Sequence, residues 1–298
     1  MRCILTHWTV ISISERETNM GDKSRKTIKT FLLLTALSLL ITGSMVAAGD
    51  WASTDDDSWC HEGWFQSRKT VCEIREMDIE EEWDSINVDA SPNGGISIEG
   101  WDKKSIHIEA RLKAWAGSKE KASEILSDID IKTGHNTIKA MGPKFNGSRN
   151  SWTVSYHIMI PKNIDLELNA LNGGISIDNV HAQIDARTLN GGIKLERISG
   201  DVDARTTNGG ITAKLNGDRW MGKGLDIHTT NGGIKLTIPE KYSAELEAGT
   251  VNGGMKIDFP VKVKGWIKKS IKTTLGEGGP IIKARTTNGG VSITREWL

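Results

Sequence analysis

Apolar and polar residues alternate along most of the chain from Asp84 onward. The pattern begins with Ile86, Val88 and Ala90 and returns at Thr137 to Ala140 and at Trp152 to Ile160. A period of two is typical of β-strands that bury one face. The sequence therefore predicts an all-β protein with many short strands.

One stretch has helical spacing instead. In "SKEKASEILSDI", Ser118 to Ile129, apolar residues recur three and four positions apart behind a serine that suits a helix N-cap. We expect one short helix there, in a chain that is otherwise built from strands and turns.

From Ile164 onward the alternation becomes a repeat punctuated by Asn-Gly-Gly. Fixed-period similarity of this kind indicates stacked repeats. The spacing is 18 residues from Asn172 to Asn190 and to Asn208, and later 23, 21 and 36 residues, the last interpreted as two periods with an altered turn at Gly276 to Gly279. The seven predicted turn asparagines are Asn93, Asn172, Asn190, Asn208, Asn231, Asn252 and Asn288.

Two architectures fit an 18-residue period. Asn-Gly between apolar runs is a strong hairpin signal, so an antiparallel β-meander is one candidate. A meander would leave an apolar face uncovered, whereas a β-solenoid buries the inward residues of two short strands per coil. We therefore favour the solenoid. Glycines after each asparagine would permit positive φ at the corner, and stacked asparagines would form a hydrogen-bonded ladder.

The first 83 residues differ from the repeat. Residues 1–19 resemble neither a signal nor a fold, and we interpret them as a non-native or untranslated leader. Residues 20–48 have the basic start, apolar run and small cleavage-site residues of a signal peptide. Residues 49–83 form an acidic, Trp-rich segment that we interpret as irregular. In an exported chain Cys60 and Cys72 are an even pair, which favours a disulfide over a weak zinc site with His61.

Charge and motifs exclude several functions. Lys plus Arg equals Asp plus Glu at 38 each, so no net charge attracts nucleic acid. The glycine turns precede strands rather than helices, which argues against phosphate loops. The turns also lack the fourth-position glycine of calcium-binding β-rolls. Although Asp185 and Asp203 share a repeat column, repeats produce such columns automatically. We predict no catalytic, cofactor-binding or metal-binding residues and no cofactor.

The phrases "SPNGGISIEGW", "SWTVSYHIMIP", "LNGGISI", "ARTTNGG" and "VNGGMKIDFP" together carry a family resemblance. From Cys60 to Leu298 the chain resembles an exported bacterial β-strand-repeat family of unknown function, related to proposed adhesin-head (GIN-type) domains. The resemblance implies a right-handed β-helix outside the cytoplasm, and it implies no activity.

The candidate binding surface comes from two features of the repeat. The phrase "GDRWMGKG" lengthens one period by five residues and carries Arg219 and Trp220, and insertions of this kind often carry binding surfaces. Arg187 and Arg205 lie one coil apart and would form a basic stripe, unless they pair with Asp185 and Asp203. Exposed tryptophans would suit stacking on sugar rings, although tryptophans also cap the ends of a core.

These features predict an exported, non-enzymatic structural or adhesin-like protein of the cell envelope, in the periplasm or on the cell surface. The alternative is a periplasmic carbohydrate-binding or polysaccharide-processing protein. Envelope polysaccharide or another surface protein is the expected partner. We expect no nucleic acid partner and no membrane span after signal cleavage.

Overall fold

The computed structural model describes residues 51–54, 60, 69–80, 82–147, 149–258 and 269–296. The predicted leader and signal peptide lie outside the described residues. Within the described residues the chain forms 21 strands and one helix. The all-β prediction with one short helix is therefore confirmed.

The first part of the chain contains eight strands and the helix. In chain order they are β1 (Ala52–Thr54), β2 (Lys69–Ile79), β3 (Ser85–Asp89), β4 (Ile96–Trp101), β5 (Ile106–Ala116), α1 (Lys119–Ser127), β6 (Asp130–Gly134), β7 (Thr137–Met141) and β8 (Ser151–Pro161).

The repeat part contains the remaining strands. They are β9 (Asp165–Asn172), β10 (Ile175–Asp178), β11 (His181–Asn190), β12 (Ile193–Glu196), β13 (Ser199–Asn208), β14 (Ile211–Lys214), β15 (Gly224–Asn231), β16 (Ile234–Pro239), β17 (Ala244–Asn252), β18 (Met255–Ile257), β19 (Ser270–Leu275), β20 (Ile281–Asn288) and β21 (Val291–Glu296).

These strands form two sheets. Sheet A has 11 strands in the order β1-β2-β5-β8-β4-β10-β12-β14-β16-β21-β18, and sheet B has 10 strands in the order β19-β17-β20-β15-β13-β11-β9-β3-β7-β6. From β4 to β18 in sheet A and from β17 to β3 in sheet B, every neighbouring pair is parallel.

The parallel strands belong to seven coils. Each coil runs from a sheet B strand through an Asn-Gly-Gly corner into a sheet A strand, and we name it after its corner asparagine. The predicted β-solenoid is thus confirmed, and the antiparallel meander is wrong for the repeats, since equivalent residues such as Ile175, Ile193 and Ile211 pair side by side in parallel strands.

The spatial order of the last coils differs from their order in the chain. The final coil, β20 and β21 with its corner at Asn288, lies between the Asn231 coil and the Asn252 coil. The strand before it, β19, pairs antiparallel with β17 at the end of sheet B. The interpretation of the 36-residue spacing as two periods with an altered turn is therefore wrong, because Gly276 to Gly279 lie between the antiparallel strand β19 and the inserted coil.

The core lies between the two sheets and is built from inward columns of one residue per coil. One column of sheet A contains Ile175, Ile193, Ile211, Ile234 and Val291, each 1–2% exposed. The facing columns of sheet B contain aliphatic residues and alanines, with equivalent residues of neighbouring coils side by side. Burying one aliphatic side chain contributes about 1.5–3 kcal/mol, so each coil needs a neighbour to cover its inward residues.

The amino-terminal end is built differently. Sheet A continues from β8 through β5 and β2 to β1 in antiparallel pairs, and β7 and β6 extend sheet B. The expectation that residues 49–83 are irregular is therefore wrong for β2, an 11-residue strand that pairs with the whole of β5.

Helix α1 covers the inward side of this end. It begins after Ser118, whose side chain accepts a hydrogen bond from the backbone N–H of Lys121 at 3.2 Å, as the cap prediction requires. It buries Ala122, Ile125 and Leu126 against the core. Near its carboxyl end the guanidinium of Arg75 donates to the carbonyl oxygen of Leu126 at 3.3 Å.

Candidate functional site

The predicted basic stripe on sheet B lies beside acidic residues on the same strands. Arg187 donates two hydrogen bonds to the carboxylate of Asp185, at 2.7 and 2.6 Å, and Arg205 bonds Asp203 in the same way. These contacts raise the pKa of Arg187 and of Arg205, since Asp185 and Asp203 accept hydrogen bonds from the charged guanidinium groups. The sequence allowed either a basic stripe or pairing of these arginines with the aspartates, and the structure shows the pairing.

The same columns continue into the last coils with altered residues. Lys283 takes the place of the acidic residue in β20, and Arg285 reaches across to Asp226 of β15, at 2.7 Å from its nearer carboxylate oxygen. Acidic and basic columns therefore neutralise each other along this face of sheet B. Because opposite charges lie side by side, the paired residues do not form a strongly charged surface. Exposed pairs of this kind contribute about 0–1 kcal/mol each to stability.

The candidate pair Arg219 and Trp220 lies in the insertion before β15. Arg219 is exposed beside Asp218, but Trp220 is only 3% exposed, and its indole N–H donates to the carbonyl oxygen of Gly200 at 3.1 Å. The hypothesis that Trp220 stacks on a sugar is therefore wrong. Its ring joins the core because the insertion folds back, with the N–H of Gly200 bonded to the carbonyl oxygen of Met221 at 2.7 Å.

No tryptophan of the described residues is fully exposed. Trp152 and Trp220 are buried, and four others are half-buried: Trp51, Trp83, Trp101 and Trp115. Trp59, Trp64 and Trp266 lie outside the described residues. Among the described residues, Trp152 and Trp220 are part of the core, and Trp51 and Trp83 pack against it.

The two cysteines lie at the amino-terminal end of sheet A. Cys60 and Cys72 form a disulfide with their Cα atoms 5.9 Å apart. The carbonyl oxygen of Cys60 also accepts a hydrogen bond from Lys113 of β5 at 3.3 Å. The disulfide joins Cys60, which precedes β2 in the chain, to Cys72 within β2.

All seven corner asparagines form one ladder. Six of the side-chain amides, all but that of Asn93, donate to the side-chain oxygen of a neighbouring corner asparagine, and the six distances range from 2.8 to 3.1 Å. The order along the ladder is Asn93, Asn172, Asn190, Asn208, Asn231, Asn288 and Asn252, which is the order of the coils in space.

Buried threonines form a second column two residues before the asparagines. Each threonine hydroxyl donates to the carbonyl oxygen of the first corner glycine in the adjacent coil, as Thr206 does to Gly191 at 2.7 Å. The contact occurs at five corners, through Thr188, Thr206, Thr229, Thr250 and Thr286. The phrase "ARTTNGG" thus contains a hydrogen-bond donor for the corner of the preceding coil in the stack, which the sequence-based interpretation missed.

The two corner glycines have different roles. A Cβ added at the first glycine would lie 1.8–2.0 Å from a backbone carbonyl oxygen of a neighbouring strand, and at Gly209 that oxygen belongs to Gly191. A Cβ at the second glycine would meet nothing closer than 3.1 Å. Positive φ, the role expected for both glycines, applies only to Gly94 and Gly289 among the fourteen. Close approach of neighbouring coils is what requires glycine at the other first positions.

The second glycines line a groove on the outer face of sheet A. Two concave regions of about 740 and 600 Å³ adjoin at Thr212 and run from the side of His157 to Lys256. Serine, threonine and lysine side chains stand along the groove two positions after each second glycine. The sequence-based candidates did not include these residues; aligning the repeats at Asn-Gly-Gly would have shown the column.

The described residues include no helix that is both long and apolar enough to cross a membrane. They also contain no group of three or more His, Cys, Asp or Glu residues positioned to hold a metal ion.

Parallel coils joined by a corner ladder define a β-solenoid with repeated side chains on its outer faces. The chain belongs to the Toastrack family DUF4097, whose family model matches residues 127–294. No curated protein matches the chain in sequence.

Solved bacterial structures are similar over most of the chain at low identity. A proposed cell adhesion protein from Clostridium sporogenes is 13% identical, with a TM-score of 0.41, and covers 75% of this chain and 100% of its own. A proposed adhesin from Bacteroides fragilis is 14% identical, with a TM-score of 0.33 and coverages of 75% and 97%. A proposed lipid binding protein from Parabacteroides distasonis is 8% identical, with a TM-score of 0.32 and coverages of 74% and 96%.

Proposed function

We propose that the chain is an exported, non-enzymatic, adhesin-like module of the bacterial envelope. The unbroken asparagine ladder is the observation that carries the proposal, because it holds seven coils in one register. Equivalent outward side chains then recur about every 4.8 Å along a rigid face. A rigid array of repeated groups suits contact with another repetitive surface.

The mechanism is multivalent attachment. Each outward group makes a weak contact, and later contacts form at a high effective concentration once the first is made. Rigidity supports this mechanism, since little conformational freedom is lost when a preformed array binds.

Two features support export. The sequence of residues 20–48 is typical of a signal peptide. The disulfide between Cys60 and Cys72 fits an oxidising compartment, where such bonds persist.

The arrangement of carboxylates supports a non-enzymatic role. Asp185 and Asp203, the paired carboxylates of one column, each accept two hydrogen bonds from an arginine of their own strand. Carboxylates occupied in this way serve to balance charge on the face of sheet B.

The test uses protease on intact cells that express the chain, with a periplasmic protein as control. Digestion of the chain while the control survives is the expected result. Protection of the chain until the outer membrane is broken would contradict surface adhesion. That outcome would favour the second candidate, a periplasmic carbohydrate-binding protein, for which the sheet A groove provides a surface.

A second measurement tests multivalency. The variant that lacks residues 193–210 joins Gly192 to Ile211 and removes one 18-residue coil, with the Asn-Gly-Gly-Ile junction retained. We expect purified variant protein to attach to cells more weakly than the full chain, because the array is shorter. Equal attachment by the two folded proteins would show that the array does not mediate binding.

A further inference from the structure

The groove on sheet A differs from the face of sheet B in its charge. Along the groove, outward residues pair side by side in the order Lys194, Thr212, Lys235, Ser292 and Lys256. Lysine and hydroxyl side chains therefore alternate from strand to strand between β12 and β18, whereas Ser97 and Ser176 line the part of the groove nearer to His157. Because neighbouring strands are about 4.8 Å apart, successive lysines stand about 9.6 Å apart along the groove.

The lysines of the groove are weakly neutralised. Lys235 and Lys256 have no ion-pair partner among the described residues, and both are exposed. Lys194 pairs with Glu196 at 2.8 Å, but the lysine is about half exposed, so this pair contributes little and Lys194 can turn to a ligand. On sheet B, in contrast, arginines and aspartates bond each other in two-bond pairs.

The floor of the groove lets an extended chain approach the backbone. The second glycines Gly210, Gly233, Gly290 and Gly254 have no side chain, and nothing lies within 4 Å of the position of a Cβ at Gly254. A linear ligand lying across these glycines would pass beside the column of lysines and hydroxyls.

We infer that this groove binds a linear acidic polysaccharide that carries one carboxylate per disaccharide. The inference rests on the proposed attachment function and names its ligand. Lysines about 9.6 Å apart match carboxylates on every second sugar of an extended chain, and Thr212 and Ser292 between them suit sugar hydroxyls. A single-stranded nucleic acid fits less well, since no Trp or Phe lines the described groove to stack on bases and Tyr156 is buried.

The span of the three lysines within the groove sets the length of ligand that it recognises. Lys194 and Lys256 are four strand spacings apart, which is about 19 Å. We expect affinity to rise with oligosaccharide length until three carboxylates reach the three lysines, and then to level off.

The test is calorimetric titration of the full chain with hyaluronan oligosaccharides of four to ten sugars, which carry one carboxylate per disaccharide. Neutral chitin oligosaccharides of the same lengths are the charge control. We expect binding of the acidic series only, weakened by salt. The variants Lys235→Ala and Lys256→Ala should each weaken binding about threefold to fivefold.

Lys283→Ala is the matched control, because it removes the same charge from the other face, in the inserted coil. Its affinity should equal that of the unaltered chain. Gly254→Phe is a second variant that keeps every charge and places a ring in the groove where a Cβ meets no atom. It should reduce binding at least tenfold while the thermal unfolding midpoint stays unchanged.

The inference would be overturned by no binding of the acidic series, by equal binding of the neutral series, or by equal losses in Lys283→Ala and Lys256→Ala. Equal affinity for single-stranded DNA, lost in the same variants, would also overturn it and indicate a general polyanion site. The proposed attachment function is judged separately by protease treatment and cell attachment, so either can fail while the other stands.

Discussion

The coils with corners at Asn172, Asn190 and Asn208 stack in chain order at 18-residue intervals, whereas the last three coils do not. The Asn288 coil comes last in the chain and lies between the Asn231 and Asn252 coils. The two regions therefore share one stack but differ in how the chain connects it.

The corner contacts are the same in both regions. The amide of Asn208 donates to Asn190 at 2.8 Å, and the amide of Asn288 donates to Asn231 at 2.8 Å although 57 residues separate them. Thr206 and Thr286 bond the adjacent first glycine at 2.7 and 2.8 Å. The register of the stack thus depends on the hydrogen bonds between neighbouring corners. It does not depend on how the chain connects one coil to the next.

The largest expected effect follows from removing the inserted coil. In a chain that lacks residues 281–298 we expect the Asn252 coil to move onto the Asn231 coil, since their corners are interchangeable. Cysteines at Lys235→Cys and Lys256→Cys would then lie on adjacent strands and form a disulfide, which needs Cα atoms about 4.4–6.8 Å apart. In the full chain one strand separates them, and no disulfide should form.

The internal deletion of residues 193–210 is the matched control, as it removes the same number of residues from the sequential region. It should lower the free energy of unfolding by about 1–3 kcal/mol. The carboxyl-terminal truncation should cost more, because closing the gap breaks the bond from the N–H of Ser243 to the carbonyl oxygen of Asp218. Failure of the cysteines to cross-link in a folded truncated chain would mean that the connections, rather than the corners, set the order.

The next effect in size compares the two corner glycines. Gly209→Ala places a Cβ 2.0 Å from the carbonyl oxygen of Gly191 and should lower the free energy of unfolding by about 3 kcal/mol in urea titration. Gly289→Ala, in the inserted coil, should cost as much. Gly210→Ala, at a second position with 3.2 Å of clearance, should cost under about 1 kcal/mol. A similar cost at Gly209 and Gly210 would refute the close-approach explanation.

Removing a threonine hydroxyl should have an intermediate effect. Thr206→Val leaves the carbonyl oxygen of Gly191 without this donor and should cost about 1–2 kcal/mol by thermal unfolding. Thr286→Val should cost the same in the inserted coil. Thr207→Val, next in sequence but outside the buried column, is the control and should be within about 0.5 kcal/mol of the unaltered chain.

The smallest effect concerns the exposed ladder. Asn208→Ala removes two ladder bonds and should cost about 1 kcal/mol, whereas Asn252→Ala at the end of the ladder removes one and should cost about half as much. Asn288→Ala should behave like Asn208→Ala. Chemical denaturation of the three variants distinguishes these values, and equal costs at the middle and the end would indicate that the ladder bonds do not contribute.

Much of the fold could be predicted from the sequence because the repeat itself carries the physical information. The 18-residue spacing gives the register, since Ile193 and Ile211 occupy one column only if equivalent strands pair. The helix after Ser118 could be predicted for a similar reason, as its cap and its apolar spacing lie within one short segment.

Other features depend on contacts between distant residues. Because every corner motif can pair with every other one, the repeated sequence does not specify where in the stack the Asn288 coil lies. The burial of Trp220 depends on the backbone of Gly200, twenty residues earlier. The sequence-based candidate surface used arginines, which pair with nearby aspartates in the structure. The structure-based candidate is a lysine column instead, and it forms only because strands from three parts of the chain lie side by side.

The inserted coil also sets the moment at which the protein can become complete. A chain that emerges amino end first, from a ribosome or an export channel, can stack its first five coils as they appear. The slot between Asn231 and Asn252 stays open until residues 281–296 arrive, because both of its sides belong to earlier segments. Assembly of these coils therefore finishes only when residues 281–296 have emerged.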